Sequence, residues 1–223
     1  MYDVQKNLDE VRALLPDGVQ LVAISKYHPK EFIEAAYAKG QRLFGESHEQ
    51  ELRQKHTELP KDIRWHFIGH LQTNKVKYIA PYVSMIEAVD SLKLLKEIDK
   101  QAARHERVID VLLELHIARE ETKYGLTPDE LRALLQEGSW RSLQNVRICG
   151  LMMMASNTDD EQLIASEFHR AKELFDEIKQ QYFADDDNFS CRSWGMSDDF
   201  MTACREGSNM VRIGTRIFGP RIY

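Results

Sequence analysis

The chain has 223 residues, of which 43% are hydrophobic, and it carries a formal net charge of −6 with an isoelectric point near 5.8. The length suffices for one large core, so we expect residues 1–223 to form a single domain, and the acidic balance argues against nucleic acid as a partner. No segment reads as a membrane span or a secretory signal, and three widely spaced cysteines favour neither a disulfide framework nor a metal site, so we expect a cytoplasmic protein without membrane partners.

Short runs rich in β-formers recur along the chain, separated by longer segments of helical period. The predicted strands are Leu21–Lys26, Arg42–Glu46, Arg64–Gly69, Val83–Val89, Val108–Ile117, Val146–Met152, Phe189–Trp194 and Asn209–Gly214.

The intervening segments are rich in Ala, Leu, Glu, Lys and Gln, with apolar residues three and four apart, which indicates helices. The predicted helices are Val4–Leu14, Pro29–Lys39, Leu92–His105, Pro128–Gln136, Glu161–Gln181 and Asp198–Glu206. Thr127 precedes Pro128 as an N-cap residue should. Eight strand–helix units in this length predict a single (β/α)₈ barrel of the TIM type, in the α/β class, with an extra N-terminal helix.

Lys26 ends the first predicted strand, and the functional groups of such barrels collect where strands end. A lysine amine whose pKa is lowered can condense with a carbonyl, so Lys26 is a candidate attachment point for an aldehyde. The alternative is a solvent-exposed lysine at a strand end, which is common in proteins.

The loops after the last two strands each combine a glycine with a hydroxyl, and in many barrels these loops bind phosphate. The first loop contains Gly195 and Ser197, and the second contains Gly214 and Thr215. We expect Ser197 to be the N-cap of the next helix, a role that an ordinary capping serine would also fill. The neighbouring acidic residues, at positions 198 and 199, would have to turn away from a bound anion.

Arg212 is expected to point into the barrel on the same face of the last strand as Gly214. A charge there needs a partner, either a ligand or a barrel carboxylate such as Glu46 or Glu114. His66 and His70 are too far apart along a strand, roughly 13 Å at 3.3 Å per residue, to share a metal. His66 is expected inside the barrel and His70 at its mouth.

Several of these segments together resemble the pyridoxal phosphate homeostasis protein family, the YggS-like group. They are Ile24-Ser25-Lys26, Phe44-Gly45-Glu46, Trp65 through Lys75, Gly150-Leu151-Met152, Gly195 through Phe200 and Val211 through Thr215. The match runs in order over almost the whole chain.

The resemblance implies a barrel similar to the N-terminal domain of alanine racemase, with pyridoxal 5′-phosphate (PLP) held as an aldimine of Lys26. It also implies that Ser197, Gly214 and Thr215 hold the phosphate, and that Arg212 faces the pyridine nitrogen. The further expected cofactor contacts are Ser47, Met152, Ser193 and Gly195. Ser47 stands where the family commonly has Asn. At least one of the three methionines that begin at Met152 should face the cofactor.

The implied function is intracellular PLP homeostasis by a PLP-binding monomer without catalytic residues, and PLP-dependent apoenzymes are candidate recipients. The printed sequence ends at Tyr223, without the second domain that supplies an opposing acid/base residue in racemases, which favours a carrier. The alternatives are a PLP-dependent racemase-like enzyme and a protein-interaction scaffold with a vestigial pocket.

Overall fold

The computed structural model describes residues 3–120 and 124–220, and its centre is a closed barrel of eight parallel strands. The strands are β1 Gln20–Ile24, β2 Leu43–Glu46, β3 Arg64–Phe67, β4 Met85–Val89, β5 Ile109–Leu115, β6 Val146–Met153, β7 Cys191–Ser193 and β8 Met210–Ile213. They pair in chain order, and β1 closes the sheet against β8 with Val22 opposite Arg212. The predicted barrel is confirmed, since every predicted strand overlaps an observed one.

The helices that surround the sheet in the described residues include each of the six that the sequence predicts. Their bounds are α1 Val4–Leu14, α2 Lys30–Ala38, α3 Glu49–Glu58, α4 Val76–Ile79, α5 Leu92–Arg104, α6 Pro128–Glu137, α7 Glu161–Tyr182, α8 Phe200–Arg205 and α9 Thr215–Phe218, with 3₁₀ turns at Thr73–Lys75 and Ser139–Ser142. Thr127 caps α6 in a complete capping box with Glu130. The helices α3, α4 and α9 were not predicted. Among the described residues, none of these helices could cross a bilayer.

Alternation along the strands divides the buried side chains into two cores. Residues such as Phe44, Trp65 and Leu113 pack outward against the helices in one large cluster. The inward residues, which include Leu112 and Met152, fill the barrel in smaller clusters. This period of two fixes which side chains can reach the mouth of the barrel.

Candidate functional site

A cavity of about 250 Å³ opens at the carboxyl ends of the strands. It is lined by Ile24, Lys26, His28, Ile68, Met154, Met196, Ser197, Asp198, Arg212, Gly214 and Thr215. Five residues of the predicted cofactor site therefore lie together, although they come from opposite ends of the chain. The remaining four, Ser47, Met152, Ser193 and Gly195, lie outside this lining.

Lys26 lies in the turn two residues after β1, half-buried at the wall of the cavity. It continues the inward face of β1, on which Val22 and Ile24 lie. The next residue, Tyr27, has a φ of +63°, a left-handed conformation that non-glycine residues seldom adopt. Its backbone N–H donates to Oε1 of Glu51 at 2.7 Å. Tertiary contacts thus hold the turn that carries Lys26 in a strained shape.

A buried ion network lies behind this turn, on the outer side of the sheet. The ammonium of Lys55 donates to Oε1 of Glu46 at 2.8 Å, to Oε1 of Glu51 at 2.7 Å and to the carbonyl oxygen of Ser25 at 2.8 Å. The hydroxyl of Ser25 donates to Glu46 at 2.6 Å. Burial raises the pKa of Glu46 to about 7, against the opposing charge of Lys55. The network ties α3 and β2 to the residues on both sides of Lys26.

Arg212 is buried inside the barrel and reaches the cavity floor. Its Nη1 donates to the carbonyl and hydroxyl oxygens of Ser193 at 2.5 and 2.8 Å, and its Nη2 donates to the carbonyl oxygen of Met153 at 2.9 Å. Its carboxylate neighbour is Glu87, 3.9 Å away. The predicted alternatives were Glu46, Glu114 or another barrel carboxylate. Glu46 is excluded because it points outward to Lys55.

Glu87 links Arg212 to His66 through a chain of buried polar groups. Its carboxylate accepts from Ser193 at 2.6 Å and contacts Nδ1 of His66 at 2.6 Å. Burial opposes the charge, but the hydrogen bond and charge of His66, together with the charge of Arg212, lower the pKa of Glu87 overall. Since an ionised carboxylate only accepts, Nδ1 of His66 carries the proton. Ser193 thus lies between Arg212 and Glu87, outside the lining of the cavity.

The two loops predicted to hold a phosphate meet at one side of the cavity. The backbone N–H of Gly214 donates to the hydroxyl oxygen of Ser197 at 3.4 Å, which joins the loops. Ser197 is not the N-cap of α8, as the sequence predicts, because the loop extends two residues further and the N-cap is Asp199. Ser197 instead lines the cavity.

Gly195 is required for packing. Its φ is +95°, and a Cβ atom there would lie 2.6 Å from the Cβ of Ala203 and 2.9 Å from the Cα of Phe200. Gly195 therefore allows the loop to pack closely against α8.

The two acidic residues of the first loop behave differently. Asp199 turns back, and its Oδ1 accepts from the backbone N–H of Met196 at 2.5 Å. Burial raises the pKa of this carboxyl. Asp198 remains at the cavity wall, so the prediction that both turn away holds only for Asp199.

Two of the predicted cofactor contacts, Ser47 and Met152, lie away from the cavity, and so does Trp194 at the end of the seventh predicted strand. Met152 lies below the cavity, packed with Leu112 in the inner core, and Met154 forms the wall instead. The half-buried Ser47 follows β2 and packs against the backbone of Gly69. Trp194 is fully buried in the outer core.

Glu114 is a buried carboxyl that the sequence offered only as a partner for Arg212. It lies on the inward face of β5, 4% exposed, and its Oε2 has no hydrogen-bond partner among the described residues. Burial and the charge of Asp90 raise its pKa to about 7, although Arg212 favours the ionised form. Asp90 also lies 3.3 Å from His70, which stacks on Tyr124 at the exposed mouth.

These groups fit a small ligand that carries an aldehyde and a phosphate. The cavity offers one primary amine, two hydroxyls beside a glycine backbone and one permanent cation. The orphaned oxygen of Glu114 adds an unused polar group beneath the floor. The described residues contain no group of three or more His, Cys, Asp or Glu that could hold a metal ion.

Comparison with known proteins agrees with this geometry. The model of the alanine racemase N-terminal domain matches residues 2–221. A pyridoxal phosphate homeostasis protein of Aquifex aeolicus is 38% identical over 92% of this chain and 88% of its own length. That of Pasteurella multocida is 34% identical over 100% of this chain and 97% of its own.

Solved structures give the same assignment. PipY of Synechococcus elongatus, solved with PLP bound, superposes with a TM-score of 0.88 at 35% identity, covering 97% of this chain and 100% of its own. An alanine racemase of Clostridium difficile shares the fold, with a TM-score of 0.75 at 14% identity over 98% of this chain and 56% of its own. The chain belongs to the alanine racemase N-terminal domain family and, within it, to the pyridoxal phosphate homeostasis proteins.

Proposed function

We propose that this chain binds PLP in the cavity at the mouth of the barrel and acts in PLP homeostasis. The observation that carries the proposal is the lining of the cavity, where Lys26 lies with Ser197, Thr215 and Arg212. The relatives are named for PLP homeostasis, and the solved PipY structure contains PLP.

Lys26 holds the aldehyde of the cofactor in a C=N bond, and Ser197, Gly214 and Thr215 hold its phosphate. This division of roles follows from the chemistry of the groups. Lys26 supplies a nucleophilic nitrogen, while hydroxyls and backbone N–H groups donate to phosphate oxygens. A single strained turn and a single pair of loops would then fix both ends of the ligand.

Arg212 lies beside the ring nitrogen in this proposal, and its fixed positive charge discourages protonation there. PLP supplies an electron sink when bound, and an unprotonated ring weakens it. The bonds from Arg212 to Ser193 and Met153 restrain the guanidinium, and Glu87 balances its charge. We therefore propose a carrier without catalytic turnover.

The partners and location are part of the same proposal. We propose a single-domain monomer that passes PLP to PLP-dependent apoenzymes. We also propose a cytoplasmic location, which is consistent with the three cysteines being free thiols. Sedimentation of the loaded protein at several concentrations tests the monomer.

Borohydride trapping tests the role of Lys26. The protein is loaded with PLP, reduced, digested and mapped by mass spectrometry, and we expect the label on Lys26. Lys26→Ala should lose the label and the visible absorbance of the C=N bond. The matched control is Lys30→Ala, which removes an exposed lysine that pairs with Glu58 and should keep both signals. A label elsewhere, with Lys26 unmodified, would reject the assignment.

A second measurement separates the carrier from a racemase-like enzyme. The loaded protein is incubated with L-amino acids in deuterated water, and exchange at Cα is followed by NMR. The carrier proposal expects no exchange above that of free PLP at the same concentration. Sustained exchange that Lys26→Ala abolishes would show turnover.

A further inference from the structure

A second cavity, of about 440 Å³, adjoins the cofactor cavity. The two share Met154, Met196 and Asp198 as lining residues, so they lie side by side. The second cavity lies between the loop that follows β6 and the loop that follows β7. The proposed contacts to PLP leave it unused.

Hydrogen bonds to buried groups hold one wall of this cavity in place. The backbone N–H and the hydroxyl of Ser156 donate to the two oxygens of the buried Glu167 at 2.7 and 2.6 Å. The hydroxyl oxygen of Ser156 also accepts from the backbone N–H of Arg119 at 3.0 Å. The backbone N–H of Asn157 donates to Glu120 at 2.7 Å. These hydrogen bonds fix the backbone of the loop on this side of the cavity before any ligand binds.

The lining combines aliphatic surface with negative charge. Met154, Met196, Ala155 and Ile164 supply the apolar part. The acidic side chains at its wall are Asp159, Glu161, Asp198 and Asp199. No Lys, Arg or His belongs to this lining as the described residues define it. Such a cavity repels a second phosphate or carboxylate and favours a cation with a flexible apolar stem.

We propose that this cavity binds a primary ammonium group carried on an aliphatic stem, next to the cofactor cavity. The inference rests on the proposed function, because it names the acceptor to which the cofactor is passed. A free alkylamine and the side chain of a protein lysine both have this chemistry. An amine seated there would reach the aldehyde carbon by extending past Met154 and Met196, which line both cavities.

Transfer of the cofactor from Lys26 to such an amine needs no further reagent. The incoming nitrogen forms the new C=N bond to the aldehyde carbon, while the bond from that carbon to Lys26 breaks. With the C=N nitrogen protonated before and after, the incoming nitrogen goes from three hydrogens to one, and the two protons it loses end on the nitrogen of Lys26, which leaves as an ammonium group. No electron leaves the system, so neither oxidant nor reductant is needed.

Methionine methyl groups provide a direct readout of binding. The full chain without PLP is labelled with ¹³C at its methionine methyl groups and titrated with cadaverine. Saturable shifts are expected at Met154 and Met196 and not at the inner-core Met85, with 1,5-pentanediol as the uncharged control. Absence of shifts, or equal shifts with pentanediol, would overturn the inference.

Variants that remove acidic side chains test whether the negative charge of the second cavity attracts the ammonium group. Asp159 and Glu161 are exposed and line only the second cavity, so Asp159→Asn with Glu161→Gln should fold and keep its PLP affinity. The dissociation constant for cadaverine should rise about threefold to tenfold, the range for two exposed charge pairs. Asp185→Asn, an exposed change in the α7–β7 loop, should leave it unchanged. Equal effects of the two proteins would reject the charge argument.

A further titration distinguishes a free amine from a protein lysine, and it also shows whether this inference or the proposed function fails. A short peptide with a blocked N-terminus and one lysine replaces cadaverine in a parallel titration. Binding of both probes supports a protein lysine as the acceptor, and binding of cadaverine alone supports a free amine. If borohydride labels Lys26 but neither probe binds, this inference alone fails. If cadaverine binds but PLP never labels Lys26, the proposed function fails instead.

Discussion

Two buried carboxylates support the cavity from opposite sides of the sheet, and they carry their charge differently. Glu87 lies inside the barrel, where His66 and Ser193 contact its oxygens and Arg212 is 3.9 Å away. Glu46 lies outside the barrel, and its Oε2 has no hydrogen-bond partner in the described chain. The pKa of Glu87 is lowered and that of Glu46 is raised to about 7.

Burial alone therefore does not decide the charge of these carboxyl groups. Both groups are withdrawn from water, but only Glu87 is bonded on both oxygens. Glu46 shares the cation Lys55 with Glu51, whose charge repels it. The inner network therefore holds a fixed negative charge beside Arg212, while the outer one holds a proton that can leave near neutral pH.

We expect the greatest loss of stability when the cation of the outer network, Lys55, is removed. Lys55→Met leaves Glu46 and Glu51 without their shared partner, so the free energy of unfolding should fall by about 3 to 5 kcal/mol. Urea denaturation measures it. Lys93→Met, at an exposed position of α5, is the matched control and should change stability by less than about 0.5 kcal/mol. Equal values for the two variants would contradict the network.

Replacing each carboxylate in turn by its neutral amide should lower the free energy of unfolding by different amounts. Glu87→Gln leaves the buried Arg212 without its counter-charge, and we expect a loss of about 2 to 3 kcal/mol by urea denaturation at pH 7. Glu46→Gln should lose less than about 1 kcal/mol, because Glu46 is already partly protonated at that pH. Each variant serves as the isosteric control of the other. A larger loss for Glu46→Gln would reverse our ranking of the two sites.

The pH dependence of stability distinguishes the same two groups. The pKa of Glu46 is 4.5 in the unfolded chain and about 7 in the folded protein. The stabilisation of the folded state that this difference provides is complete below pH 4.5 and is lost as the pH rises to about 7. Between pH 5 and 7, the free energy of unfolding of the wild type should therefore fall by about 1 to 2 kcal/mol more than that of Glu46→Gln.

Glu114→Gln should act in the same direction, since the folded pKa of Glu114 is also about 7. Glu87, with its lowered pKa, contributes stability that is lost only as pH falls below about 4.5. Glu87→Gln therefore serves as the control in this pH window. Urea denaturation at four pH values tests all three, and parallel curves for Glu46→Gln and wild type would exclude the raised pKa.

The smallest effects concern the two serine hydroxyls. Ser25 and Ser193 each donate to a carboxylate at 2.6 Å, so Ser25→Ala and Ser193→Ala should each lower stability by about 1 kcal/mol. Ser193 also accepts from Arg212, and only Ser193→Ala should weaken PLP binding, as a fluorescence titration would measure. Equal PLP affinities would show that Ser193 does not position Arg212.

The barrel was predictable because its strands are runs of β-formers and most helices have apolar residues at helical spacing. Helix α3 was not predicted, because its buried face is not a regular stripe of apolar residues. Of its residues, Glu49, Leu52 and Lys55 are buried, so two of its three inward positions are charged. Hydrophobic periodicity cannot detect a face that is buried through ion pairs.

The site was predictable where it depends on strand ends and less so where it depends on side-chain partners. Alternation along β8 directs Arg212 inward, but no local pattern selects Glu87 over Glu114 as its neighbour. The loop containing Ser197 has capping residues at several positions, so the start of α8 was ambiguous. Gly195 could be recognised as a required glycine, but its contact with Ala203 depends on the packing of α8.

The pairing of β1 with β8 has a consequence for folding as well as for binding. Lys26 and Gly214 meet only after the first and last strands have closed the ring, so a partly assembled chain has no site for a bound ligand. Ligand affinity is then linked to global unfolding instead of local opening. Saturation with ligand should slow hydrogen exchange of the β1 and β8 amides by one common factor, because both are released in the same cooperative event.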